Sequence, residues 1–290
     1  MALRKLGEKR IYIHCSSSIS NWKEKILRRY DAEEYILWKH WRKDVTFFGF
    51  YNPKDWVKFW LHRGKKTIHW CGSDILQVGY LFRWLAGVRC DHICENNLQF
   101  GILNSVLHPG VGFLRINRID DISPPEISLI PTFLSDPNDF EISYKSNNNP
   151  NVWLHVNKNS EFESGLGIVK RISLETPEIT YHIYGKCSGI SQSNIVFHGY
   201  VSERKFNQEI KEYQAGLRLH EFDGFSEVIS KSVLLGQYPI SCIRYPFIDT
   251  YKNEQELIEI LKELKNKKIP NYEARNYYMR KFNESVVKSI

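Results

Sequence analysis

The sequence predicts an α/β fold with two Rossmann-like domains that face a cleft. Short apolar runs of strand length alternate with segments of helical periodicity, which is the pattern of parallel sheets connected by helices. Residues 135–151, SDPNDFEISYKSNNNPN, interrupt this alternation with a polar stretch rich in Asn, Ser and Pro, typical of a linker. The alternation then starts again, so we expect domains at residues 1–140 and 141–290.

The first half contains five predicted strands, each rich in β-branched and aromatic residues. They are RIYIHC, DVTFFGF, KTIHWCG, VRCDHICE and EISLIPTFL. Helical segments connect them, one beginning near Trp22 and two others being DWVKFWLHR and SDILQVGYLFRWLAG. Ser73 or Asp74 lies near the expected start of the last of these helices, where short polar side chains cap free backbone N–H groups.

The second half repeats the pattern, with helices between most of its strands. The strand candidates are NVWLHVN, ITYHIYG, NIVFHGY, AGLRLHE and YPISCI, and the helices are SGLGIVKRISLET, SERKFNQEIKEY and SEVISKSVLLG. Two more predicted helices, NEQELIEILKELKNKK and YEARNYYMRKFNESVV, follow. The last helix either stays with the second domain or crosses back to the first. Ligands of such sheets bind at the carboxyl ends of the strands.

Composition restricts the class of protein. The chain has 290 residues, of which 42% are hydrophobic, as in globular proteins with a buried core. No apolar run reaches the roughly 18–20 residues that span a bilayer, and the first residues do not form a secretory signal. The six cysteines are scattered, without the spacing of a disulfide framework or a zinc site. These features predict a cytoplasmic protein with reduced thiols and no cysteine zinc site.

The first seventy residues are basic and rich in Trp. They contain sixteen Lys or Arg against seven Asp or Glu, and Trp residues recur among the cations. This mixture suits the headgroup region of an anionic membrane or a lipid-linked substrate, and also nucleic acid. Solvated faces of amphipathic helices would give the same composition. We expect no nucleic-acid partner, and peripheral contact with the inner face of the cell membrane is one open interpretation.

The stretch LRLHEFDGFSEVISKSVLLGQYPI, residues 217–240, carries the strongest candidate for a ligand site. A buried strand ends just before Asp223 and Gly224, and a helix begins at Ser226. Glycine lets the backbone approach a ligand closely, and the N–H groups at a helix start favour anions. A sugar nucleotide offers hydroxyls for the acid and a diphosphate for the helix. The alternative is an ordinary strand-to-helix turn.

The ordered set of segments around this turn resembles the nucleotide-sugar-binding domain of retaining GT-B-type glycosyltransferases. In that group a strand leads to an acidic residue and a glycine turn, and the following helix carries a second carboxylate. HEFDGFSEVISKSVLLGQYPI follows this order, and NIVFHGYVSERKFNQEIKEYQAGLRL and NVWLHVNKNSEFESGLGIVKRISLETPEITYHIYG match the units before it. TIHWCGSDIL is similar to a strand end in the other domain. The resemblance spans residues 150–245, and residues 65–80 more loosely, and implies the GT-B architecture.

The resemblance implies transfer of a hexosyl unit from a nucleotide sugar to a lipid-linked, polysaccharide or glycoconjugate acceptor. It implies retention of configuration without a metal or other cofactor, because protein cations and helix N-termini act at the diphosphate. Asp223 would orient the donor sugar, with Glu221 as the alternative acid at this position. His69 and Asp74 are catalytic candidates on the acceptor side. The expected donor contacts are Lys158, Glu161, Gly199, Tyr200, Val201, Ser202, Gly224, Phe225, Ser226 and Lys231.

One position departs from the family pattern. Lys231 stands where the family has its second carboxylate, which usually holds the nucleotide ribose, and a lysine cannot accept those hydrogen bonds. Two further hypotheses therefore stay open, a non-catalytic protein that binds a glycan, nucleotide or membrane, and a nucleotide-sugar epimerase. The candidates also have structural alternatives, since Lys158 suits a solvated loop and Glu161 and Asp74 suit helix caps.

Overall fold

The computed structural model describes residues 10–77, 90–107, 126–156, 164–185, 192–220 and 223–288. They group into two compact units, one comprising residues up to 136 together with 281–288, and the other residues 137–280. Each unit contains a six-stranded sheet in which all the described strand pairs are parallel. The predicted α/β class with two Rossmann-like halves is confirmed.

The first unit is built on a sheet with the order β2-β1-β3-β4-β5-β6. Its strands are Tyr12–Cys15 (β1), Glu33–Glu34 (β2), Val45–Phe48 (β3), Lys66–His69 (β4), Asp91–Cys94 (β5) and Ile127–Leu129 (β6). Its helices are Lys23–Arg29 (α1), Leu37–His40 (α2), Pro53–Leu61 (α3) and Asn97–Leu107 (α4). The strand order reverses between β1 and β3, and this reversal leaves a crevice at the carboxyl ends of those two strands.

Local sequence signals explain where the elements of the first unit begin. The helix α3 starts with Pro53 in its first turn, and the side chain of Asn52 accepts hydrogen bonds from two backbone N–H groups while Asp55 returns the contact. Phe47, Phe59 and Trp70 are fully buried in the core beside it. The predicted helix SDILQVGYLFRWLAG begins instead as a 3₁₀ helix, Ser73–Gln77, and its remainder lies outside the described residues.

The second unit has the sheet order β12-β11-β10-β7-β8-β9. Its strands are Asn151–Val156 (β7), Thr180–Gly185 (β8), Ile195–Gly199 (β9), Ala215–Arg218 (β10), Ile240–Ser241 (β11) and Asp249–Thr250 (β12). Its helices are Leu166–Glu175 (α5), Glu203–Glu209 (α6), Glu227–Leu234 (α7) and Glu254–Glu263 (α8), and the helix Tyr272–Lys288 (α9) begins in this unit. No helix among the described residues is both long and apolar enough to cross a membrane.

The strand order of the second unit reverses between β7 and β10. The chain adds β8 and β9 on one side of β7 and then returns to place β10 on the other side. Gly216 lets α7 pack closely on β10, because a Cβ there would lie 2.2 Å from Ser232 Oγ. The start of α7 is thereby held against the sheet at the reversal.

The predicted linker packs against the second unit. The backbone N–H of Ser143 donates to the carbonyl of Leu235 at 3.1 Å, and the Tyr144 hydroxyl donates to the carbonyl of Lys267 at 2.6 Å. Tyr144 is 7% exposed. Tyr144 therefore anchors this polar stretch to the second unit, and its role as a linker stays a prediction.

Candidate functional site

The carboxyl edge of the second sheet brings two helix starts to the point where the strand order reverses. The helix α5 follows β7 and α7 follows β10, and these two strands are neighbours. Gly165 precedes α5 with φ +81°, and a Cβ there would lie 2.3 Å from Leu219 Cβ, just past the end of β10. Only glycine fits both this torsion and this approach. The fold therefore forms the kind of crevice in which α/β sheets bind ligands.

Asp223 is held at this edge by a cation. The Nε of Arg218, the last residue of β10, donates to Asp223 Oδ2 at 2.6 Å, and the backbone N–H of Gly224 donates to Asp223 Oδ1 at 2.9 Å. The side chains of Arg218 and Asp223 are 20% and 22% exposed. The carboxylate is therefore fixed in orientation and partly neutralised. A carboxylate oxygen accepts more than one hydrogen bond, so these contacts are compatible with a contact to sugar hydroxyls.

The turn after Asp223 is held by contacts with residues further along the chain. The Tyr245 hydroxyl donates to the carbonyl of Gly224 at 2.7 Å. The ring of Phe225 packs against Tyr245 and Tyr278 and is 6% exposed, so its side chain belongs to the core rather than to a ligand surface. The predicted donor contact at Phe225 stays a prediction, since a buried ring does not exclude a contact through the backbone.

Ser226 caps the helix α7, as predicted. Its Oγ accepts from the backbone N–H of Val228 at 3.1 Å, and its own torsions are extended. The cap leaves other N–H groups of the first turn without partners within the helix, and these carry the partial positive charge of the helix dipole. The helix start can therefore attract an anion, although Glu227 in the first turn opposes this.

Lys231 lies on the same helix and is almost fully buried, with 2% of its side chain exposed. Its Nζ is 3.4 Å from Glu227 Oε2, and Glu227 is 48% exposed. The ammonium also lies 5.0 Å from the centre of the Phe206 ring. Among the described residues Lys231 has no hydrogen-bond acceptor beyond this ion pair. A buried ammonium has three donors, so Lys231 can donate to a ligand.

His155 is a further polar residue near Lys231. It lies on β7 and is half-buried. Burial lowers its pKa, and the positive charge of Arg218 lowers it further, while Glu227 acts in the opposite direction. The imidazole is therefore neutral at neutral pH and offers one donor and one acceptor.

The predicted contacts after β9 lie at the far edge of the sheet. Gly199 has φ +65°, with open space where a Cβ would stand, and Tyr200 is 65% exposed. Val201 is half-buried, and the Oγ of Ser202 caps α6 by accepting from the N–H of Lys205 at 3.3 Å. Three strand spacings separate β9 from β10, about 14 Å in total. A ligand that touches both ends must therefore be extended.

Lys158 and Glu161 lie outside the described residues, in the segment that follows β7. Their predicted contacts with the donor stay predictions. Within the part of the chain that is described, no cluster of three or more His, Cys, Asp or Glu is arranged to hold a metal ion. Independence of metal likewise stays a prediction.

His69 lies at the carboxyl end of β4 in the first unit, within a buried polar cluster. Its Nε2 is 2.9 Å from Thr132 Oγ1 and 3.3 Å from Glu95 Oε1, and its ring stacks on Phe48 with centroids 4.1 Å apart. His69 is 2% exposed and Glu95 7%. The carboxylate orients the imidazole, so the pair has the geometry of a held base, while a catalytic role for His69 stays a prediction.

Asp74 is completely buried and ties two loops together. Its Oδ2 accepts from the N–H of Phe50 at 3.0 Å, and its Oδ1 accepts from the N–H of Cys71 at 3.1 Å. Burial raises its pKa to about 7 despite these hydrogen bonds. Through these contacts Asp74 positions the ends of β3 and β4. A catalytic role for Asp74 stays a prediction.

Sequence reasoning missed several residues at these two edges. Arg218 stands five residues before Asp223, and this short spacing after a strand was the available signal. Gly165 was visible only as part of a weak glycine motif inside a predicted helix. Glu95 and His155 left no local signal, because their partners come from other strands.

Solved structures with a similar fold include a galactosyltransferase and two proteins solved with UDP. The chain is 11% identical to Anabaena Alr3699/HepE, solved with UDP and glucose, with a TM-score of 0.61 over 97% of this chain and 99% of that one. It is 13% identical to the lipopolysaccharide outer core galactosyltransferase WaaB in its apo form, with a TM-score of 0.55 over 98% and 100%. It therefore has the GT-B fold implied by the resemblance.

A third similar structure belongs to a longer protein. S. aureus TarM, solved with fondaparinux, alpha-GlcNAc-glycerol and UDP, is 12% identical, with a TM-score of 0.58 over 86% of this chain. The chain spans 55% of that TarM chain. No family model matches the sequence, and no curated protein matches it. At these identities the comparisons show the fold.

Proposed function

We propose that the protein is a glycosyltransferase that moves a hexosyl unit from a nucleotide sugar to a lipid-linked, polysaccharide or glycoconjugate acceptor. The observation that carries the proposal is the Arg218–Asp223 pair beside the start of α7, at the reversal between β7 and β10. This edge offers a fixed carboxylate for hydroxyls and helix N–H groups for phosphate. The similar HepE and TarM structures contain UDP, which supports a nucleotide-linked donor.

The residues take separate roles along an extended donor. Asp223 orients the sugar, and the turn from Gly224 to Ser226 presents its backbone to the diphosphate. Lys158 supplies a cation that stabilises the charge developing on the departing diphosphate. The turn from Gly199 to Ser202 lies about 14 Å from β10, a distance that suits the base of a nucleotide whose sugar is at Asp223.

The proposed reaction retains the configuration of the sugar and uses no metal. The acceptor hydroxyl attacks on the face from which the diphosphate leaves, so the bond from the sugar to the diphosphate breaks as the new glycosidic bond forms. The leaving diphosphate accepts the proton of the hydroxyl. The first unit holds the acceptor, with His69 at the edge of its sheet. The enzyme acts in the cytoplasm, at the inner face of the membrane.

The second candidate function is binding without catalysis. Lys231 favours it, since its ammonium occupies the position of a family carboxylate and is paired with Glu227. In this alternative the crevice binds a nucleotide or glycan and releases it unchanged. An assay that detects binding but no sugar transfer would favour this alternative over the enzyme.

The test combines binding with transfer. Purified protein is screened by thermal shift against nucleoside diphosphates and their hexose conjugates, and release of nucleoside diphosphate is then measured with membrane glycolipid as acceptor. A ligand at about 100 times its dissociation constant stabilises the fold by about 2.7 kcal/mol. Asp223→Ala should lose the shift caused by the sugar conjugate, while Asp139→Ala, at an exposed acid away from the crevice, should keep it. No shift with any donor would contradict the proposal.

A further inference from the structure

The first unit exposes an unusual number of large apolar side chains. Trp38 is 80% exposed, Trp60 46% and Trp41 40%. Three aliphatic residues near them in the sequence are also exposed. We call this set the aromatic patch, and it comprises Ile36, Trp38, Trp41, Val57, Trp60 and Leu61. Single exposed apolar side chains are common on folded proteins, whereas a contiguous apolar patch marks an interaction surface.

Two segments of chain join to form the patch. The carbonyl of Trp41, just after α2, accepts from the N–H of Arg63 at 2.7 Å and from that of Gly64 at 3.1 Å, just after α3. On α3 the residues Val57, Trp60 and Leu61 are spaced three and four apart and share the outer face of the helix. Its inner face carries Trp56 and Phe59, which are buried. The outer stripe of α3 therefore continues onto the end of α2.

The segments that carry the patch are strongly cationic. ILWKHWRK, residues 36–43, and VKFWLHRGKK, residues 57–66, contain seven Lys or Arg and no Asp or Glu. The guanidinium of Arg42 lies 4.5 Å from the centre of the Trp41 ring. Lys65 is paired with Asp91 at 2.8 Å, which leaves most of these charges directed to solvent. Trp rings among cations match the headgroup region of an anionic bilayer in both polarity and charge.

We propose that the aromatic patch docks the protein on an anionic phospholipid surface. The Trp rings and the aliphatic stripe of α3 enter the headgroup region, while Arg42, Lys43 and Arg63 contact lipid phosphates. A nucleic acid would use the same cations, but it gives no burial to Val57 and Leu61. The apolar stripe therefore favours lipid.

The position of the patch also sets an orientation. Trp41 and Leu61 come shortly before β3 and β4, so this end of the patch lies at the amino edge of the first sheet, opposite the carboxyl edge that carries His69. Strands of four residues are about 13 Å long. Docking through the patch therefore leaves the carboxyl edge facing water. Lipid docking extends the proposed localisation. Only the orientation rests on the proposed function, because lipid binding is measured without any sugar transfer.

The test is co-sedimentation of the full chain with vesicles. Vesicles of phosphatidylcholine alone are compared with an equimolar mixture of phosphatidylcholine and phosphatidylglycerol. The protein should bind the mixture and not the neutral vesicles, and added salt should weaken binding. Equal binding to both vesicles, or binding to neither, would overturn the proposal. Sugar transfer with a water-soluble acceptor is measured separately, so either claim can fail alone.

Matched variants localise the binding. Trp38→Ala with Trp60→Ala should weaken binding to the mixed vesicles about tenfold or more, while Trp22→Ala, at a Trp that is 47% exposed outside the patch, should not. Reversing the charge of Arg42 and Lys43 to Glu should weaken it about a hundredfold. The control reverses the charge of Lys262 and Lys265, which are exposed in the second unit, and should leave binding to the mixed vesicles unchanged.

All variants are first compared by circular dichroism and thermal unfolding. The patch residues are exposed, so their fold and melting temperature should match the wild type within about 2 °C. If folded patch variants bind as tightly as the controls, the patch does not dock on lipid. If they lose binding while the controls keep it, the proposal is supported.

Discussion

Replacing Lys231 with Met tests whether this residue serves a ligand or the fold. The lysine is 2% exposed, and removing an ammonium from water costs several kcal/mol. The ion pair with Glu227 offsets little of this cost, because Glu227 is 48% exposed and exposed pairs contribute at most about 1 kcal/mol. The contact with the Phe206 ring contributes about 1–2 kcal/mol more.

The net expectation is a gain in stability. Methionine keeps the contacts of the lysine stem and removes the buried charge, so the free energy of unfolding should rise by about 1–2 kcal/mol. For a unit of this size that raises the melting temperature by about 5 °C. The variant should at the same time lose the stabilisation that nucleoside diphosphate gives to the wild type, because the ligand loses a donor.

The assay is thermal unfolding followed by circular dichroism, with and without UDP. Lys262→Met, at an exposed lysine, serves as the control and should change neither quantity. A large loss of stability in Lys231→Met, together with an unchanged effect of UDP, would refute the reasoning. It would mean that Lys231 is a structural ion pair and that the ligand is held by other residues.

Three other predictions test separate parts of the structure. Burial raises the pKa of Asp74 from 3.8 to about 7, so the folded state binds more protons than the unfolded state between these pH values. The free energy of unfolding should therefore fall as pH rises through this range, by up to about 4 kcal/mol. Asp74→Asn should flatten this slope in denaturant titrations at several pH values, and an unchanged slope would contradict it. Gly165→Ala should lower the free energy of unfolding by about 2–4 kcal/mol. Its control, Gly167→Ala inside α5, should raise it by up to about 1 kcal/mol. Similar effects of both variants would contradict the requirement for glycine at the turn before α5. Arg218→Met should weaken UDP binding in calorimetry about tenfold, since the carboxylate of Asp223 then repels the diphosphate, and unchanged affinity would exclude this pair from the site.

The two parallel sheets were predictable because their strands and helices carry local periodic patterns. Runs such as NVWLHV and TYHIYG are long enough to be recognised without knowing their neighbours. The strands β2 and β12 were missed since each has only two residues, and Glu33 and Glu34 are exposed and charged. Their pairing depends on the position of the adjacent strand, which no local pattern records.

The candidate site was predictable only where it lies within one stretch of chain. Asp223, Gly224 and Ser226 are consecutive enough for their turn to be recognised, and the cap at Ser226 was confirmed. The pairing with Arg218, the burial of Lys231 and the contact of Gly165 with Leu219 depend on how β7 and β10 meet. The interior position of the Phe225 ring depends on tyrosines twenty or more residues further along the chain, and no local pattern records this packing.

Hydrogen–deuterium exchange with and without UDP-hexose tests whether the edge between β7 and β10 binds a nucleotide sugar, because it shows where the ligand binds. With the ligand bound, we predict slower exchange at the backbone amides of residues 223–228 and 164–167, which flank the reversal between β7 and β10. The slowing should be weaker at residues 199–202. Residues 254–263 in α8 should exchange at the same rate in both samples. Slower exchange confined to other parts of the chain, or no change at a saturating concentration of ligand, would contradict the claim that this edge binds a nucleotide sugar.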